Sequence, residues 1–336
     1  MRSALTGKSG NDNKRRETME KERKLSLFDT HCDTASELFG RGEHLASSSC
    51  HIALDKAEIF ENYAQFFAVW SNRRHDDQTC YHDFLAITDF FSDELNTNAN
   101  RIVQVRNGEE RRAAWAQGKR AAFLAVEDAR LLAGDLSRLE ELYARGVRYL
   151  TLLWGGETCI GGSHNTEKGL TDFGKQVARR CFEIGIIPDI SHASEQSVDD
   201  LIPIAQEFGK PFIATHSNSY SLHPHTRNLR DRHLRALMEL GGIVGVSLCP
   251  PHLRDTSVAP ATVKDVVDHI DHYCELGAEN CLGLGCDLDG TDLPEGFSSI
   301  ADLPKIADEM SARGYSDEMI DRIFHKNYEN FFDRVL

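Results

Sequence analysis

Apolar positions along this chain gather into eight short runs rich in β-branched and aromatic residues, at 25–33, 63–70, 121–127, 148–154, 186–192, 211–216, 243–248 and 281–287. Between them lie stretches with helical spacing, such as 135–146, 173–185 and 263–277. Several of these end in Gly, the residue expected just past a helix C-terminus. Eight strand-like runs, each followed by a helical stretch, predict an α/β protein with its parallel sheet closed into a (β/α)8 TIM barrel. The last segment, 316–336, predicts a C-terminal helix with a Ser or Asp N-cap, packed by Ile320, Ile323, Phe324, Phe331 and Phe332.

Composition refines this picture. The 336 residues contain no Gly/Ser/Pro-rich linker that would split the chain, and 40% are hydrophobic, enough for one large core. A single barrel is therefore expected over residues 24–336. Residues 1–23 are polar and charged and read as a disordered tail, with Met19 as an alternative start. The net charge of -15 repels phosphate backbones and argues against a nucleic-acid partner, the KRR at 14–16 notwithstanding. Nine cysteines without a repeated C-x-x-C spacing argue against a disulfide framework and for a reducing compartment. The apolar runs fall far short of about 18 residues and the N-terminus lacks an apolar signal core. The expectation is a cytoplasmic protein without a membrane partner.

The chemistry lies where polar residues end the apolar runs. His31 and Asp33 end the first run, Glu127 the third, His192 the fifth, His216 the sixth and Asp287 the eighth. Active sites of parallel barrels assemble at the C-terminal ends of their strands. Two residues apart on a strand, His31 and Asp33 point the same way and could share one cation, while Cys32 points elsewhere. One such residue alone would be an ordinary hydrogen-bonded side chain; five run ends carrying metal-competent types together is a different matter. Three histidines and two carboxylates, with a further Asp nearby, exceed what one tetrahedral zinc needs. A carboxylate bridging two cations accommodates the excess. Imidazole with carboxylate suits Zn²⁺ best, with Mn²⁺ or Co²⁺ as substitutes.

These residues sit in stretches that resemble the renal (membrane) dipeptidase family of amidohydrolase-type metal barrels. The matching stretches are DTHCDT (29–34), AVEDAR (125–130), residues 169–194 ending in DISHAS, ATHSNSYSLHPHTRNLRD (214–231), GLGCDLDG (283–290) and residues 314–332. The resemblance implies a zinc-dependent hydrolase of dipeptides with two zinc ions per chain. His31 and Asp33 match the pair on the first metal, Glu127 the bridging carboxylate, and His192 and His216 the histidines of the second. Asp287 matches the acid that handles the proton after attack by a hydroxide shared between the metals. Arg227 matches the arginine that binds the substrate, expected to pair with its terminal carboxylate and so favour short peptides. Homodimers are common in the family.

One departure stands out. Some members carry a substrate-contacting histidine at the end of the fourth strand; here Trp154 occupies that position, as in many bacterial-looking members, and is expected to line the substrate site, but Gly155 follows it where those members usually have Asn. His164, in the nearby GGSHN, is a candidate replacement. Asp289 is either a second-layer partner of a ligand or a turn residue, and Asp189 is undecided in the same way. Cys32 and Cys286 read as small core residues, His223 and His225 as loop surface, and His269 and His272 as solvent-facing on an outer helix. Two competing readings remain: a related amidohydrolase acting on an N-acyl amino acid or other amide, and a metal- or peptide-binding homologue without turnover.

Overall fold

The computed structural model describes residues 24–336; the tail expected over 1–23 lies outside them. Its strands are β1 (Leu27–Cys32), β2 (Tyr63–Trp70), β3 (Ile102–Gln104), β4 (Arg120–Glu127), β5 (Val147–Thr151), β6 (Ile187–Asp189), β7 (Val244–Val246) and β8 (Leu282–Leu284). They form one parallel sheet, with a seven-strand path β6-β5-β4-β2-β1-β8-β7 and β3 pairing with β4. Seven of the eight apolar runs contain one of these strands. The run at 211–216 has no strand of its own, but parallel bridges Asp189↔Ile213 and Ala214↔Val244 place it between β6 and β7, the two ends of the path. The sequence pattern missed β3, which at three residues is too short to show a period.

Helices follow the runs as anticipated. The helix Asp172–Ile184 starts where the Thr171 side chain accepts the Gly174 N–H at 2.9 Å and stops at Gly185, whose φ is 89°. The C-terminal segment begins at its Ser316 cap, runs through Asp317–Asp321, widens to a π-turn over Arg322–Lys326 and continues as Asn327–Val335. Its five expected packing residues are all buried. Among the described residues, no helix is long and apolar enough to cross a membrane.

Two apolar layers flank the sheet. Inside lie Phe28, Phe66, Phe123 and Tyr149, joined by Phe332 and Tyr328 of the C-terminal helix. Phe66 and Phe123 stack at 4.6 Å, and Phe332 meets Phe66 at 4.8 Å. Burying each such ring contributes roughly 1.5–3 kcal/mol. Gly283 makes room for this floor, since a Cβ there would sit 2.4 Å from the Tyr328 ring. Outside, helices pack on Leu27, Cys32, Phe67, Val69 and their neighbours. Phe28 and Cys32 have the same strand parity yet face opposite layers. A register shift between Asp29 and Cys32 changes the parity, which turns Cys32 into the outer core and leaves the sheet interior to His31.

Two expectations need correcting. His269 is buried, not solvent-facing: its Nδ1 accepts the Ser219 N–H at 3.0 Å and its Nε2 donates to the Leu253 carbonyl at 3.0 Å. It shares the inward stripe of Val266, Ile270 and Tyr273 on the helix Val263–Glu275, a 3–4 spacing that polarity alone conceals. His272, on the next face, is only partly exposed and approaches Asp231 at 3.4 Å. The cysteine expectation agrees with what is seen: all nine are free thiols, and Cys32 and Cys286 are buried.

Candidate metal centre and substrate cleft

All six run-end side chains meet at the C-terminal end of the sheet. His31 lies near the end of β1 with Asp33 just beyond, and Glu127 is the last residue of β4. His192 and Asp287 stand three residues past β6 and β8, so the strands are shorter than the apolar runs that predicted them. Both have left-handed backbones, with φ of 69° and 60°. Such φ values in non-glycine residues are uncommon and gather at functional sites.

The distances define a two-sided arrangement about Glu127. Its Oε2 lies 3.7 Å from His31 Nε2, and its Oε1 lies 2.9 Å from His192 Nε2 and 3.3 Å from His216 Nε2. On the His31 side, Asp33 Oδ2 and Asp287 Oδ1 lie 3.6 and 3.8 Å from the same Nε2. One oxygen of Glu127 thus serves each group.

Hydrogen bonds behind the rings fix their tautomers. The Tyr149 hydroxyl donates to the Thr30 carbonyl, so His31 Nδ1, 2.9 Å away, is the donor to that oxygen. Thr215 Oγ1 donates to Asp189, so His216 Nδ1, at 2.8 Å, donates to Thr215. His192 Nδ1 faces the Trp154 carbonyl at 3.1 Å and must donate as well. With every Nδ1 proton committed, three Nε2 lone pairs point at one another and at Glu127. His192 Nε2 and His216 Nε2 are only 3.0 Å apart. His31 Nε2 and Asp33 Oδ1 are buried without any hydrogen-bond partner. Buried lone pairs in this density repel unless a cation lies among them. The donor set therefore fits divalent metal, and backing hydrogen bonds of this kind are how proteins orient imidazole ligands.

The ionisation behaviour agrees. Burial, reinforced by the Arg227 and His31 charges, holds His192 and His216 well below the usual histidine range, hence neutral. For His31 burial pulls the same way, but Tyr149 and Glu127 outweigh it and raise the ring well above that range: without a cation the crowded acids draw a proton onto Nε2, the position that a bound metal ion would take instead. Burial and the neighbouring Asp33 push Glu127 up to about 8. Burial, offset by His31, pushes Asp287 up to about 6. Carboxylates crowded in this way are short of positive charge.

Above the cluster opens a cleft of about 410 Å³, lined among others by Trp70, Arg73, Trp154, His164, Arg227 and His252. Arg227 is 4% exposed; its guanidinium donates to Ser217 Oγ and the His216 carbonyl, and its Nε has no partner. Among the described residues no carboxylate pairs with it. Trp154 rests against Trp70 at 5.1 Å and His192 at 5.8 Å, forming one wall. His164 also faces the cleft, 5.9 Å from the His192 ring, and burial pushes it down to about 4, so it is neutral.

Several contributors escaped the sequence reading. His252, in the short helix Pro250–Leu253 after β7, lines the cleft, where burial and Arg227 push it down to about 2. Tyr149 gave no polar signal because it ends no apolar run. Asp189, undecided from sequence, accepts from Thr151, Thr215 and the Ser191 N–H and so backs His216 through Thr215. Asp289 accepts from Thr34 and the His51 and Ile52 N–H groups, anchoring the loop beside the cleft.

A parallel α/β sheet carrying three imidazoles and crowded carboxylates at its C-terminal ends is the architecture of a metal-dependent hydrolase. The profile of the membrane dipeptidase family (peptidase family M19) matches residues 15–335, and the chain belongs to that family of metallopeptidases. An uncharacterized protein in the pqqA 5' region of Klebsiella pneumoniae is 32% identical over 215 residues, covering 60% of this chain and 78% of that one. Dipeptidase tcpJ of Claviceps purpurea is 30% identical over 234 residues, covering 68% of this chain; the match spans 54% of the Claviceps protein. A solved metallopeptidase of family M19, described as the dipeptidase AC, superposes with a TM-score of 0.86 at 25% identity, over 93% of this chain and 99% of its own.

Proposed function

We propose that this chain hydrolyses dipeptides with two divalent cations, zinc by preference, at the mouth of a closed (β/α)8 barrel. The observation that carries the reading is the convergence of three bare imidazole nitrogens on the two oxygens of one buried carboxylate. His31, Asp33 and Glu127 Oε2 would hold one cation; His192, His216 and Glu127 Oε1 would hold the other. Bound there, the cations would lower the pKa of water and polarise the scissile carbonyl.

The remaining roles belong to the chain. Asp287 borders the His31 group and the cleft at once, so it is placed to take the proton of the attacking water and pass it to the leaving amine. Arg227, buried and without a carboxylate of its own, would receive the substrate's terminal carboxylate in a two-pronged contact. A longer peptide would put an amide there instead, which restricts the substrate to two residues. Trp154 supplies an apolar wall, and the neutral ring of His164 a donor toward the carbonyl oxygen.

Metal analysis of the purified protein, combined with a library of L-Xaa-L-Yaa and L-Xaa-D-Yaa dipeptides and an N-acyl amino acid, tests this. The expected result is close to two zinc ions per chain and turnover of dipeptides that chelation abolishes and zinc restores. Faster cleavage of the N-acyl amino acid, or full metal occupancy with every dipeptide left intact, would reject it.

A further inference from the structure

A second arginine stands in the cleft, and neither the metal cluster nor the proton transfer uses it. Arg73 lies in the turn after β2, where the Asn72 side chain accepts the Arg74 N–H and the Asn72 carbonyl accepts the His75 N–H. Its guanidinium lies 5.8 Å from the Trp154 ring, a cation–π contact. Beneath it run Gly155 and Gly156: a Cβ on either would stand 2.9 Å from a guanidinium nitrogen. A side chain on either glycine would compete with the guanidinium for this space. The glycine turn is itself pinned by Asn165, whose side chain accepts the Gly156 N–H at 2.8 Å.

Arg73 has no ion-pair partner among the described residues. Asp128 is near enough to feel its charge but is not within 4.0 Å, and the nearby Glu37 is taken up by Arg41 at 2.8 Å. A surface arginine in a chain of net charge -15 is ordinarily neutralised by an acid close by. This one is seated by a tryptophan and two glycines and left facing the cleft.

Its position says which end of a substrate it meets. Round the proposed barrel the order is β1, β2, β4, β5, β6, the segment 211–216, β7, β8. The turn after β2, bearing Arg73, therefore faces the loop after 211–216, bearing Arg227, across the mouth. A dipeptide whose terminal carboxylate sits on Arg227 directs its N-terminal residue toward Arg73. We propose that Arg73 is a specificity-determining residue that receives the side-chain carboxylate of an acidic N-terminal residue, so that Glu-Xaa and Asp-Xaa dipeptides are preferred substrates. The inference rests on the dipeptidase reading above.

The test compares kcat/KM for Glu-Ala, Gln-Ala, Lys-Ala and Ala-Glu on the zinc-loaded enzyme. A Glu-Ala to Gln-Ala ratio of about tenfold is expected, as for a two-pronged guanidinium–carboxylate contact that the amide of Gln cannot make. R73M should bring that ratio near one, and R73E should turn the preference toward Lys-Ala. G155N, which leaves the arginine in the chain but fills its seat, should also lower the ratio. As an independent readout, Glu-Ala should alter tryptophan fluorescence of the wild type with a Kd about tenfold lower than in R73M. A ratio near one in the wild type, a ratio indifferent to R73M, or a preference for Ala-Glu over Glu-Ala overturns the assignment. Absence of turnover on all four peptides overturns this inference, and the dipeptidase reading falls with it only where the wider dipeptide library is also left intact.

Discussion

The Tyr149 hydroxyl lies 2.9 Å from His31 Nδ1 and donates its own proton to the Thr30 carbonyl. One phenol oxygen thereby decides which nitrogen of His31 is bare. Y149F keeps the ring in the aromatic floor but leaves that Nδ1–H without an acceptor. Metal affinity is expected to fall about 10–100-fold, the usual effect of removing such a backing group. Competition with a chromogenic chelator measures this directly, and an unchanged affinity would show that packing alone orients His31.

Arg227 presents two guanidinium nitrogens already fixed by Ser217 and the His216 carbonyl. Lysine has a point charge and cannot reproduce the fork. R227K is expected to raise KM for dipeptides by about tenfold or more, with a smaller change in kcat. Steady-state kinetics that match the wild type would reject its role in substrate binding.

For Asp287, D287N should lower kcat by about 10²–10⁴, the range for loss of a general acid or base. Metal content is measured on the same sample, because Asp287 also borders the His31 group. A kcat close to wild type at full metal occupancy would remove Asp287 from the proton transfer.

His164 is the candidate for the missing family histidine at position 154. H164A should lower kcat by about tenfold or more while leaving the bound metal in place, as expected for loss of one donor to a developing oxyanion. Turnover at the wild-type rate disposes of that role.

A surface acid gives the pH test of stability. Burial raises the Asp302 pKa, but donors from Ser298 and the ion pair with Lys305 at 2.6 Å outweigh it and hold the carboxyl down at about 2. Its folded value is thus depressed below the unfolded one near 3.9. The stabilisation is present above about pH 4 and fades as pH falls toward 2. D302N is expected to cost about 1 kcal/mol at pH 7, allowing for solvent screening, and to cost little near pH 2. Denaturant unfolding at several pH values checks the sign; a penalty that grows on acidification would contradict it.

Much of this protein is written along its chain. Seven of the apolar runs contain strands because a short β-branched run bounded by turn residues has few other ways to be buried. The six site residues could be read together because each ends such a run, and a parallel sheet puts all strand ends on one side. The ligand atoms of His31, Glu127 and His216 all lie within 4.8 Å of one another for that reason.

Tertiary structure decided what depends on neighbours distant in the sequence. Local pattern has no term for the bridges that tie 211–216 to β6 and β7, nor for the burial of His269, whose partners lie on other segments. It could not assign the tautomers, because the proton on His31 is set by Tyr149, 118 positions away, and that on His216 by Asp189 acting through Thr215. Nor could it reveal the seat of Arg73, which exists only where the turn after β2 passes over Gly155. Residue type and run ends fixed which atoms could take part; hydrogen bonds across the assembled sheet fixed which of them are bare, charged or free to act.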